Sequence, residues 1–164
     1  MENTKAKSIL EEEIKQAIEQ VSVEETRVAY VLSQLHLEPI EKKLFNRYKT
    51  WVGDGRLRFH PMAVIKAMLM KDLKSISSFQ LLISYLCSNP EEGKLLGFDM
   101  FLPSNQTLSI IKNERVDDEI QQLMDFVVEK VRQYAKENGR HMDIDFLPVS
   151  KQEREIAAYN STSC

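Results

Sequence analysis

At 164 residues, 43% hydrophobic and 29% charged, the chain suits one domain, or one domain with an extension, under an ordinary charged surface. No apolar run reaches the roughly 18 residues of a membrane span, and the acidic start has no basic region leading into an apolar core. These features point to a cytoplasmic protein with no membrane partner. Cys87 and Cys164 are too few for a disulfide framework and fit a reducing compartment.

The net charge of −3 is unevenly spread. Residues 41–75 hold nine Lys and Arg against three acids, whereas the flanking stretches are both acidic. A localised positive field attracts a polyanion, because neutralised phosphates release condensed counterions. The alternative is a basic face that only keeps the chain soluble.

Taken in order, the chain reads as a series of helices. Residues 1–20 carry Ile14, Ala17, Ile18 and Val21 on one stripe, suited to packing on the body or pairing with another copy. Ser22 with Glu25 has capping-box spacing ahead of a helix with Val28, Val31, Leu32 and Leu35. A third helix runs from about Pro39 through Tyr48, with Leu44, Phe45 and Tyr48 inward and Lys42, Lys43, Arg47 and Lys49 outward. The loop 51–60 turns at Gly53-Asp54-Gly55 and offers Arg56 and Arg58; Arg58 stands where a dinucleotide fingerprint needs its third glycine. Pro61 is placed as a first helical residue, with His60 before it as a cap or turn residue. Helices over 61–74 and 77–88 follow, with Ser77 or Ser78 capping the second and Cys87 reading as a small core residue. Asn89 and Pro90 open a short turn of helix that Gly97 ends; Ser104 caps a helix to Asn113; Asp117 caps a long helix that stops at Asn138-Gly139. Met142 to Asp145 alternates apolar and acidic as a short strand does, ended by Pro148. The fold class is therefore mainly α: a multi-helix bundle with a helix-turn-helix-like core and a short β strand near the C-terminus.

Several short helices joined by tight turns suit DNA binding better than catalysis. His36, His60 and His141 are far apart in sequence and neither cysteine has a ligand-spaced neighbour, which speaks against zinc. Asn105 and Gln106, opening the 104–113 helix, carry amides suited to an adenine edge; the plainer reading is polar first-turn residues. Thr107 lies beside them, and Lys112 and Arg115 can reach phosphates. Arg56 and Arg58, with Lys42, Lys43, Arg47, Lys49, Lys66, Lys71 and Lys74, are stronger phosphate candidates, and His60 is a weaker one.

The segments GRLRFHPMAVIKAMLMK, ISSFQLLISYLCSNP, LLGF and PSNQTLS together resemble the N-terminal domain of DDE-type insertion-sequence transposases. The similarity covers roughly Tyr48 to Arg115. Asp143 to Val149 resembles the strand that carries that family's first catalytic aspartate, and Ala158-Tyr159-Asn160 resembles the Glu-Tyr-Asn that follows it; Phe146 and Leu147 depart from the small or hydroxyl residues usual there. The resemblance implies a helical DNA-binding domain over 1–140 and the start of a truncated RNase H-like domain over 141–164. It implies double-stranded DNA, the terminal inverted repeats of a transposon, as partner and the nucleoid as location. Asp145 becomes the counterpart of the first catalytic acid and metal ligand, vestigial because nothing matches the second aspartate or the glutamate. Family catalysis uses Mg²⁺ pairs roughly 3.5–4 Å apart, so this chain is expected to hold no cofactor and cut no DNA alone. Two other readings stand beside it: a helical module that homo-oligomerises through 1–35 and 117–138, and a catalytic subunit completed by a second polypeptide.

Overall fold

The computed structural model describes residues 2–21, 27–52, 59–99, 101–140 and 142, with backbone alone for residues 2 and 47–52. Among them are eight helices: α1 (Glu2–Gln20), α2 (Val28–Ser33), α3 (Glu38–Val52), α4 (Pro61–Leu73), α5 (Phe79–Ser88), α6 (Pro90–Leu96), α7 (Asn105–Arg115) and α8 (Asp118–Glu137). The described residues contain no strand, and the short strand expected at 142–148 lies, beyond Met142, outside them. The expected Ser22–Glu25 capping box also lies outside them, and α2 starts later, at Val28, with no side-chain cap from Arg27.

α4 is the axis of the bundle. Met62, Ala63, Val64, Ile65, Ala67, Met68, Leu69, Met70 and Leu73 are all buried, so it is apolar nearly all round, as a central helix must be. It packs against α2, α3, α5, α6 and α8. Around it, α1 and α8 form the longest pairing. Their contacts run in register: Asn3 bonds Gln122, Lys7 lies over the Phe126 ring, and Glu11 accepts from Tyr134 at 2.6 Å. The two helices are therefore parallel, and the rest of the chain returns between them. Leu10, Ile14 and Ile18 of α1 are buried, as are Leu123, Val127 and Val131 of α8. The apolar stripe at the N-terminus is thus consumed inside the molecule.

Helix ends follow their sequence signals with a few departures. Ser78, Ser104 and Asp117 cap α5, α7 and α8, accepting from the N–H groups of Leu81, Thr107 and Ile120. Gly97 takes φ 114 at the end of α6, and a Cβ there would come 3.2 Å from Ala63 Cβ, so glycine is required by conformation and by close approach. Asn89, expected to cap α6, makes no cap bond; its Nδ2 donates back to the Tyr85 carbonyl at 2.9 Å. α4 ends in a Schellman turn, with Ile76 N–H on the Lys71 carbonyl and Ser75 left-handed at φ 55. Leu37 is also left-handed, φ 54; Glu13 Oε1 accepts from the N–H of His36 (2.7 Å) and of Leu37 (2.9 Å), tying α1 to the start of α3. Phe45, expected inward, is 57% exposed: α3 buries Ile40 and Leu44, and Phe45 lies one position past that stripe. Cys87, expected as a small core residue, is half-buried near the end of α5.

Candidate nucleic-acid interface

The described cations of the basic segment differ in their surroundings. Lys74, a phosphate candidate by sequence, is fully buried: its ammonium lies 4.7 Å from the Tyr85 ring centre, and Tyr85 in turn donates to the buried Glu92 carboxylate at 2.7 Å. Lys42 pairs with Glu38 (3.0 Å) and Lys43 with Glu119 (2.9 Å). Lys66 is half-buried on α4; burial lowers its pKa, opposed by the nearby carboxylates of Glu13 and Glu41. Arg56 and Arg58 lie outside the described residues, as do the side chains of Arg47 and Lys49.

His60 is exposed, and its Nδ1 accepts the Met62 N–H at 3.1 Å, capping α4. The cap reading of this residue holds, and it occupies the nitrogen that faces the helix. Pro61 occupies the first helical position, where its missing N–H leaves nothing unpaired.

What the fold does bring together is the edge between α4, α5 and α7. Lys71 and Lys112 both lie over the Phe79 ring, their ammonium groups 5.3 and 5.8 Å from its centre. Asp72 adjoins them; burial raises its pKa, and the opposing charges of Lys71, Lys112 and Arg132 hold it down. Arg132 of α8 donates to the Asp72 carbonyl at 2.8 Å, satisfying a carbonyl at the α4 C-terminus. Sequence placed Lys71 on a helix but gave no sign that Phe79 would join it to Lys112.

α7 leads away from this edge. Leu108 and Ile111 are buried against the bundle, and α7 packs on α5 and α3. Asn105 and Gln106 are exposed at its N-terminus. Thr107 is half-buried, its hydroxyl 2.9 Å from that of Ser104 within the cap, so it serves the helix end first. Lys112 is exposed, and Arg115 is half-buried at the last turn. Among the described residues no three His, Cys, Asp or Glu are grouped to hold a metal ion. Asp145, the candidate ligand and catalytic acid, lies outside them, as does Asp143. No helix among the described residues is long and apolar enough to cross a membrane.

No curated protein and no solved structure matched the chain. A protein-family model, described as a transposase domain (DUF772), matches residues 15–114, from the middle of α1 to the last turn of α7. That span covers the central helix, the Lys71–Phe79–Lys112 edge and almost the whole of α7. The chain belongs to this transposase domain family.

Proposed function

We propose that the chain acts in DNA transposition by binding the double-stranded terminal inverted repeats of a transposon, through residues 1–140. The observation that carries this reading is α7: anchored by Leu108 and Ile111, capped by Ser104, and presenting Asn105 and Gln106 outward from its first turn. In helix-turn-helix proteins the N-terminal residues of the recognition helix contact base edges, and α7, packed on α5, is read as the counterpart of that helix. Lys71 and Lys112, at the flank of α7, are the phosphate contacts within the described residues; Arg56 and Arg58 add to them in the preceding loop. Residues 141–164 resemble the start of an RNase H-like catalytic domain, with Asp145 the counterpart of an acid that holds the family's Mg²⁺ only together with two further acids, and vestigial in this chain. The end-binding step belongs to the helices, and the setting is the nucleoid.

The oligomerisation reading needs free apolar stripes on residues 1–35 and 117–138. Among the described residues, α1 and α8 bury their stripes against one another and α2 packs on α4 and α6, all within a single chain.

The test is the salt dependence of duplex binding, measured by fluorescence anisotropy with a duplex selected from a randomised pool. Affinity should fall steeply with salt. Lys71→Ala with Lys112→Ala should lower the log–log slope by about 1.8, from about 0.9 per phosphate. Absent or salt-insensitive binding by the folded chain overturns the reading.

A further inference from the structure

Ile110 on α7 is 47% exposed, one of four large apolar side chains left outside among the described residues. The helical repeat of roughly 3.6 residues explains which side it occupies. With Leu108 and Ile111 turned inward, the opposite side of α7 carries Gln106, Ser109, Ile110 and Asn113. That side holds two amides, a hydroxyl and one isoleucine, and no charge. Lys112 falls on its flank towards Phe79, and Glu114 on the other. An uncharged strip beside a cation edge is the pattern that base edges and backbone together demand: phosphates take cations, and base edges take amides and apolar groups.

We infer that Ile110 reads the C5-methyl group of a thymine in the major groove, with Gln106 and Asn113 on the adjoining bases. This deepens the DNA-binding reading of α7 and rests on it. The thymine methyl is the one apolar group that a base edge presents in that groove, and Asn or Gln pairs bidentately with adenine. Gln106 and Ile110 are four residues, roughly 6 Å, apart along the helix axis. That rise spans between one and two base pairs at roughly 3.4 Å each. The strip therefore addresses a short A·T-containing run. A second copy of the chain is the weaker occupant: one isoleucine among amides is far from the roughly 1,200 Å² of a stable protein interface.

The experiment replaces each thymine of the selected duplex by deoxyuridine, which deletes only the methyl group, and measures binding of wild type and Ile110→Ala. At one or two positions the replacement should weaken wild-type binding by about fourfold, the value of one buried methyl. At those positions it should leave the Ile110→Ala protein unaffected. If deoxyuridine acts equally on both proteins, or nowhere, while both still bind duplex, the methyl contact is overturned and DNA binding stands. If neither protein binds any duplex, the DNA reading of α7 falls first. If Ile110→Ala leaves DNA affinity unchanged and dissociates a dimer seen by light scattering, the strip serves another copy and the inference fails. Ile110 is exposed, so the thermal melting of the variant should match wild type and exclude misfolding as the cause.

Discussion

His60 shows how a single residue that invites a functional reading in a sequence can carry the architecture as well. Beside Pro61 in a basic segment it invites a phosphate contact, yet its Nδ1 accepts the Met62 N–H and closes the first turn of α4. His60→Ala should cost about 1 kcal/mol in denaturant unfolding, the usual value of an N-cap, with duplex affinity unchanged. A fall in affinity without loss of stability would return it to the interface. Capping was the most legible part of the sequence, because Ser78, Ser104 and Asp117 each have a side-chain oxygen one step before an apolar-periodic run. The left-handed turn at Ser75 was not legible, since such turns are signalled by glycine and this one is held by the Lys71 carbonyl and the Ile76 N–H instead.

Among elements, the joint of α1 and α8 is electrostatic as well as apolar. The Tyr134 hydroxyl donates to Glu11, which also lies 3.5 Å from Lys130. The Tyr134 bond, helped by Lys130, holds the Glu11 carboxyl below its ordinary value of 4.5 against a partial cost of desolvation. In return the carboxylate pushes Tyr134 up to about 12. A lowered acid stabilises above its ordinary value and loses that as pH falls through the folded one; a raised phenol stabilises below 10.0 and loses that as pH climbs towards about 12. Tyr134→Phe should therefore lower the denaturant midpoint at neutral pH and converge on wild type at both extremes. A deficit constant with pH would mean that the hydroxyl acts by packing alone. Periodicity revealed α1 and α8 as amphipathic helices; that they pair with each other, in parallel, depends on contacts more than a hundred residues apart, which no local pattern encodes.

For the molecule as a whole, charge was legible as a run along the chain and illegible as a surface. Among the described residues of 41–75, the turns of α3 and α4 send successive cations in different directions: Lys43 meets Glu119, Lys66 is half-buried, and Lys74 turns inward. The buried set of Lys74, Tyr85 and Glu92 joins the end of α4 to α5 and α6. Tyr85→Phe removes a donor from a buried carboxylate and should destabilise the whole domain by roughly 1.5–3 kcal/mol in chemical denaturation. Unchanged stability would show that Glu92 finds another partner there.

Glu13 carries a last implication. By gripping the two amides that lead into α3, it makes a stretch near the beginning of the chain part of the scaffold for a bulky leucine in an uncommon backbone twist. A shortened protein starting at Ser22 forfeits that grip together with the inner wall supplied by Leu10, Ile14 and Ile18. What its hydrodynamic radius would then report is unravelling of the bundle, not the number of subunits.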